Sequence, residues 1–322
     1  MENKDLNTNQ SVQPKLDIYS YPYVKSKEST KSLMKKVIIA LLPAILASLY
    51  FFRLDAIKVI LISVASCVFF EYIMQKASKK PIRIGDLSAV VTGLLLAMNL
   101  PASVPFWLPI FGGFFAIVIV KESFGGIGNN FINPALGARA LLMASWGNLM
   151  TSYTWPVSLT DSLSGPTPLG VLKEGTGSLP SLVDMAIGRV GGVIGETSAI
   201  LLLVGGLYLI ITKVIDWKIP VIFILSTGIM LPILGVSIEL IPWHLLGGGL
   251  FLGAFFMATD YVTIPTSDLG KIIFAVGCGV LTALIRVLGN MPEGVSYAIL
   301  IMNVFTPLID KYIQPKVFGE VK

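Results

Sequence analysis

Charge is scarce in this sequence. Its 322 residues include 24 Lys and Arg and 19 Asp and Glu, 13% in all, about half the share of a soluble domain. A soluble chain of this length needs a charged surface that so few residues cannot supply, which excludes a soluble enzyme and a disordered protein. Histidine is nearly absent. His244 is the only one, and with no ligand cluster around it in sequence it argues against a metal site. Cysteine is limited to Cys67 and Cys278. Both lie inside apolar runs, so no disulfide framework is indicated, and one chain lacks the further thiolates of an iron–sulfur cluster. There is no Walker A motif, no Gly-x-Ser-x-Gly and no dinucleotide fingerprint after a strand. The net charge of +5 does not imply nucleic acid, because no segment offers a basic stripe on a soluble face. Residues 1–36 are polar, contain seven lysines and have no early apolar stretch. They are expected to be a solvated cytoplasmic tail and not a signal peptide.

What is abundant is apolar: 54% of the chain, with a mean hydropathy of +0.78. The runs fall near 37–52, 58–75, 86–100, 105–120, 134–147, 193–213, 219–235, 241–259, 271–288 and 295–311. They are unbroken and lack the period-two alternation of a membrane barrel, so the expected fold is an all-α integral membrane protein of about ten spanning helices. With the N-terminus inside and ten crossings, 18 of the basic residues fall inside and 5 outside. That bias puts both termini in the cytoplasm. The expected organisation is a tail (1–36), a first five-helix half (37–147), an external loop (148–192), a second five-helix half (193–313) and a cytoplasmic C-terminal tail (314–322).

The 148–192 loop is rich in Ser, Thr, Gly and Pro and shows no helix or strand signal, so it is the first place to look for chemistry. Within it runs Asp161-Ser162-Leu163-Ser164-Gly165-Pro166-Thr167-Pro168-Leu169. Pro166 and Pro168 disfavour helix, and Thr167 is expected as a hydroxyl on a stiff, exposed, extended segment. The bland reading is a Pro/Gly-punctuated turn.

A weak echo relates Asn130-Phe131-Ile132-Asn133-Pro134 to Asn303-Val304-Phe305-Thr306-Pro307. Each lies at the fifth helix of a five-helix half, and an odd number of crossings would invert one half against the other. The glycines from Gly125 to Gly128 and the Asn133-Pro134 pair, an N-cap followed by N1, describe a broken helix. Its positive end could receive an anionic or polar ligand, and the carboxamides of Asn129, Asn130 and Asn133 suit a heterocycle edge. Equally, these asparagines could satisfy only their own backbone.

Charge within a span is costly and marks a functional or a paired residue. Polar or ionisable residues within spans or at their ends are Glu71, Lys121, Glu122, Arg139, Thr259, Asp260, Arg286, Glu293 and Asp310. Lys121 and Glu122 are expected at the interface. Arg286 is expected at the outer end of its helix, holding a phosphate or carboxylate or snorkelling. Arg139, Arg286 and Glu293 are candidates for an electrostatic or ion path.

Taken together, these residues resemble a known family. The blocks that carry the likeness are Tyr21-Pro22-Tyr23-Val24 with Ser29-Thr30, Gly126 to Arg139, Asp161 to Leu169, Met257 to Pro265 and Leu281 to Asp310. From about Tyr21 to Asp310 the chain is similar to a family of membrane proteins that includes RnfD, of the Rnf ferredoxin:NAD oxidoreductase complex, and NqrB, of the sodium-pumping NADH:quinone oxidoreductase. The shorter N-terminal region favours the Rnf complex. The resemblance implies ten spanning helices in two inverted five-helix repeats with broken helices. It also implies a flavoprotein component of an ion-translocating electron-transport complex in a bacterial or archaeal cell membrane, relaying electrons between ferredoxin and NAD.

The family esterifies FMN through its phosphate to a threonine in Asp-x-x-(Ser/Thr)-Gly-Ala-Thr. That motif maps onto Asp161, Ser164, Gly165, Pro166 and Thr167, with Pro166 in place of the usual Ala. A non-covalent riboflavin is implied near Asn130, Asn133 and Asp260. The implied partners are the other members of the Rnf complex: the flavin-bearing RnfG, the membrane proteins RnfA and RnfE, and the iron–sulfur proteins RnfB and RnfC. The lipid bilayer and a flavin transferase are implied as well, and no nucleic acid. The rival readings are a small-solute or ion transporter or channel with inverted repeats, the quinone-enzyme component, and a passive scaffold with a vestigial loop.

Overall fold

The structure is a computed structural model that describes residues 28–153, 167–175, 178–196, 198–289 and 293–314. Among the described residues it is helical throughout, with no strand. The first two apolar runs form one long element, α1 (Thr30–Ala77). Ser29 caps it, its side chain accepting from the Ser32 N–H. Arg53 interrupts it with φ 49 and ψ −126, a left-handed conformation that costs any residue but glycine. The stretches on either side each exceed the ~20 residues that a crossing needs.

The helices α2 (Ser88–Met98) and α3 (Trp107–Phe114) pack against α1. From α3 the chain continues as a π-helical stretch, Phe115–Glu122, whose wider turn ends on Lys121 and Glu122. Pi-helical turns are rare and concentrate at functional sites. The short run near 134 becomes α4 (Pro134–Ser145), capped by Asn133 with Pro134 at its first position, as the sequence indicates.

The 148–192 segment departs from expectation. Its described part is not free of helix: it holds α5 (Pro168–Glu174) and α6 (Leu182–Ile187). Both carry complete local signals. Thr167 and Ser181 cap their N-termini, and Gly175 (φ 65) and Gly188 (φ 100) end them in the left-handed region. Composition conceals them because each is only a turn or two long.

The second part of the chain supplies α7 (Ala199–Ile211), α8 (Lys218–Ile233), α9 (Ile241–Leu246), α10 (Asp268–Leu288) and α11 (Val295–Tyr312). The apolar run at 241–259 is not one straight helix. Ile238–Leu246 and Leu250–Met257 meet at 61°, across Gly247-Gly248-Gly249. Gly248 (φ 66) and Gly249 (φ 64) supply the left-handed turn. The second piece ends as another π-helical stretch, Gly253–Met257. α8 and α10 touch closely where Gly279 faces Phe223 and Ser226, since a methyl at Gly279 would collide with the Ser226 hydroxyl. Small residues allow such approach where lipid supplies no hydrophobic drive.

Only α1 and α10 are each long and apolar enough to cross a membrane alone among the described residues, and the bent pair makes a third candidate. The bundle gathers its connections at two ends. One end carries residues 78–87, 123–133 and 258–267. The other carries residues 99–106, 146–153, 167–175, 178–196 and the start of α11.

Candidate functional site

At the first end the interrupted helices leave a cavity of about 290 Å³. Asn130, Asn133, Thr259 and Asp260 line it, so the three residues expected to hold a ligand are brought together. Its walls are largely apolar and include Val91, Leu95, Phe255, Phe256 and Tyr261. An apolar body with a few convergent polar groups is the usual character of a small-molecule site, and this one sits near the lower end of the ~300–1,000 Å³ range.

The polar residues are partly committed to the fold. Asn133 accepts from the Ala135 N–H at 3.1 Å and the Leu136 N–H at 3.3 Å, and its amide donates to the Met257 carbonyl at 3.4 Å. Its backbone N–H donates to Asn303 Oδ1 at 3.1 Å. The two echoing segments therefore touch, but not through matching positions: Asn133, which matches Thr306, caps a helix, and Asn303, which matches Asn130, lies within one. Asn133 is chiefly a structural residue at the cavity wall. Asn130 donates to the Ile132 carbonyl at 3.0 Å and offers its carboxamide oxygen. Asn129 is exposed and faces a neighbouring cleft.

Asp260 lies in the loop after the bent pair. Burial pushes its carboxyl up to about 6, against the opposing pull of the Val262 N–H and of the Asn130 and Thr263 side chains. The folded chain thus holds a proton that an unfolded aspartate releases near 3.8. Stability from this residue is present at low pH and falls as pH rises from about 4 to about 6. Infrared difference spectra should show one protonated carboxyl lost near pH 6, absent in Asp260→Asn; a midpoint near 4 would contradict the buried setting.

Lys121 and Glu122 are not interfacial. Their side chains are only 4% and 3% exposed, because the π-helical stretch turns both inward. Lys121 Nζ donates to Glu71 Oε1 and to Ser88 Oγ, each at 2.7 Å.

At the opposite end Thr167 differs from expectation. It is buried, not exposed, and its hydroxyl accepts from the Gly170 N–H at 3.1 Å. Pro168 does not extend the chain here; it opens a helix, where a missing N–H costs nothing. Asp161, Ser164, Gly165 and Pro166 lie outside the described residues. The adjoining Leu169 packs on Gly247 and Gly248. Arg286 lies under the same turn. It does not snorkel: it is buried, its Nη1 and Nη2 groups donate to the carbonyls of His244, Gly247 and Gly248, and its Nε has no partner among the described residues. Arg139 pairs with Glu293 and donates to Ser296 Oγ at 2.6 Å and Asn99 Oδ1 at 3.1 Å. Tyr153 completes the group by donating to Glu293 Oε1 at 3.0 Å. Asp310 accepts from Thr266 at its helix end.

The family model described as NQR2, RnfD, RnfE family matches residues 17–319. The chain belongs to that family. It is 50% identical over 310 residues to the D component of the Na(+)-translocating ferredoxin:NAD(+) oxidoreductase complex of Acetobacterium woodii, covering 95% of this chain and 96% of that one. To the D component of the proton-translocating ferredoxin:NAD(+) oxidoreductase complex of Clostridium ljungdahlii it is 46% identical over 316 residues, covering 94% and 96%. The D component of the ion-translocating oxidoreductase complex of Stutzerimonas stutzeri is 36% identical over 332 residues, covering 91% and 93%.

Three parts of the site in this member of the NQR2, RnfD, RnfE family carry no signal in the sequence. Glu196 turns one carboxylate oxygen into the interior near Gly249, with no partner among the described residues. A lone Glu at the start of the 193–213 run does not show in sequence what it faces. Tyr153 and Asn99 are silent because their partners lie 140 and 40 residues away.

Proposed function

We propose that this chain is the D component of an ion-translocating ferredoxin:NAD oxidoreductase, a membrane flavoprotein that carries FMN on Thr167 and relays electrons through its partners. The observation that supports membership in such a complex is half-identity along nearly the whole length of a relative named as its D component, and the flavin follows from the resemblance around Thr167. Both termini and the 290 Å³ cavity face the cytoplasm in this reading, and the Thr167 segment faces outward, in keeping with the bias of basic residues. The two parts of the chain are inverted five-helix repeats.

The residues present suit both flavins. Esterification of Thr167 Oγ1 leaves an oxygen that still accepts from the Gly170 N–H, so the cap survives. The buried hydroxyl must be uncovered when the transferase acts. The cavity has flat aromatic and aliphatic walls for a tricyclic ring, with Asn130 and Asp260 to meet its polar edge, which suits riboflavin. When bound, flavins exchange one or two electrons and so connect one-electron iron–sulfur carriers with two-electron partners. The chain's part is to orient the ring, exclude water and supply protons. RnfG, RnfA, RnfE, RnfB and RnfC are the partners, and the coupled ion crosses with movement of the bundle.

Two measurements test this. Intact mass should show a gain of FMN minus water on the chain. Acid extraction of the purified complex should release about one riboflavin per chain, and Val91→Phe, which fills the cavity, should lower that yield at least about tenfold, the loss expected from ~1.4 kcal/mol or more of overpacking. It should leave the covalent FMN in place. A full riboflavin yield from Val91→Phe would place that flavin elsewhere.

A further inference from the structure

Two hollows lie back to back at the first end of the bundle. Beside the 290 Å³ cavity is a polar cleft of about 310 Å³, and Ile127 borders both. The cleft is lined by Glu71, Gln75, Asp86 and Glu122, with Lys80 and Arg83 at its mouth in the exposed turn at 78–83. The partition is a continuous hydrogen-bonded chain. Lys121 and Ser88 face the cavity, and Glu71 and Asp86 face the cleft. Lys121 Nζ joins Glu71 Oε1 and Ser88 Oγ at 2.7 Å each, and Ser88 Oγ donates to Asp86 Oδ1 at 2.6 Å. Gln75 steadies Glu71 Oε1 from 3.2 Å.

A pair that only fastened α1 to the π-helical stretch would satisfy both carboxylate oxygens, because a bare one is costly in the interior. Here Glu71 is 1% exposed, yet Oε2 is buried with no partner among the described residues. Asp86 holds the start of α2 by accepting from the Ser88 N–H at 2.8 Å, and the same oxygen takes the Ser88 hydroxyl, which carries the chain of hydrogen bonds on to the cleft. The charged groups facing Glu71 are Lys121, Asp86 and Glu122, and Lys80 offsets Glu122 at 3.6 Å. Lys121, Lys80 and Arg83 balance Glu71, Asp86 and Glu122 in charge, so the wall is neutral as a whole, and its carboxylates are the groups there able to take up a proton.

We propose that Glu71, Lys121, Ser88 and Asp86 form a proton path from the cleft to the cavity. The proposal rests on the riboflavin reading of the cavity. A proton leaves cleft water and joins Glu71. Lys121 Nζ releases one proton to the cavity and takes back the one held by Glu71. One proton enters per cycle and the side chains return to their starting charges. The electrons that draw it inward come from the one-electron iron–sulfur and flavin carriers of the complex. Lys121 is the group that touches the cavity, and Glu71 acts through it.

The test uses the purified complex, reduced with dithionite in weakly buffered solution containing a pH-indicator dye. Proton uptake is followed by rapid mixing, and riboflavin is counted after acid extraction. Glu71→Gln keeps the shape and the Lys121 hydrogen bond but carries no proton. Uptake should slow on the order of a hundredfold with riboflavin content unchanged, the size of a general acid–base contribution. Asp86→Asn, on the second branch, should slow it less. Unchanged uptake in Glu71→Gln overturns the path. Absence of riboflavin from the wild-type complex would defeat the flavin reading alone. Deuterium exchange at the Lys121 ammonium, followed with nitrogen-15-labelled lysine and assigned with Lys121→Gln, then decides the path. Exchange slowed by Glu71→Gln supports it and equal exchange overturns it.

Discussion

Thr167→Ala should abolish the covalent flavin altogether: no fluorescent band in a denaturing gel and no mass gain on the chain. The expectation is complete loss because a phosphoester needs an alcohol oxygen and alanine offers none. The same substitution also removes the N-cap of α5, in which Thr167 Oγ1 accepts from the Gly170 N–H. Losing such a cap costs about 1 kcal/mol, so a skeptic could attribute the lost flavin to a disordered segment. Two further replacements separate these causes. Thr167→Asn keeps a capping acceptor but no esterifiable hydroxyl, and should lose the flavin while α5 persists. Thr167→Ser keeps both and should retain flavin. Fluorescence persisting in Thr167→Ala would move the attachment to another hydroxyl. Burial of Thr167 adds a kinetic expectation: flavin loading should be faster on freshly made chain than on the folded protein, because Thr167 is 4% exposed once folded.

Much of this is legible in the order of residues. A break before α4 follows from Asn133-Pro134, since a capping side chain and a residue without an N–H specify a helix start by local chemistry alone. That Asn130 and Asp260 share a cavity is suggested by resemblance, and no local rule pairs residues so far apart in sequence. Lys121 defies its interfacial expectation for a structural reason. A charge near the end of an apolar run ordinarily reaches water, but the π-helical turn at Phe115–Glu122 rotates it inward onto Glu71 and Ser88. The position of Glu71 near the C-terminal end of a long helix gives no hint of its partner across the bundle. Arg286 differs from expectation similarly: its partners are backbone carbonyls, two of them exposed by the Gly247–Gly249 bend, and the sequence shows glycines without showing which side chain they admit. Thr167 departs from its expected exposure because Pro168 does not break a helix but stands at the first position of one, where proline is favoured.

Arg139→Met should be the most destabilising of these substitutions, by roughly 3–5 kcal/mol, the cost of leaving one member of a buried ion pair alone. Arg139 and Glu293 have side chains only 6% and 5% exposed, so water cannot replace the lost partner. The damage extends past the pair. Asn99 Oδ1 and Ser296 Oγ each lose the guanidinium donor, and Tyr153 is left donating to a carboxylate with no cation beside it. Because Arg139 stands on α4 and Glu293 just ahead of α11, this network ties the first part of the chain to the second. Glu293→Leu in the same chain removes the orphaned charge, and Arg139→Met/Glu293→Leu should recover a large share of the loss. Arg139→Lys should fall between wild type and Arg139→Met, since a single ammonium cannot reach Glu293, Ser296 and Asn99 in the fork that guanidinium provides. Unfolding of the purified chain by a graded denaturing detergent would rank the four proteins. If the double variant is as unstable as Arg139→Met, the unpaired charge is not the cause, and the guanidinium's hydrogen bonds to Asn99 and Ser296 carry the stability instead.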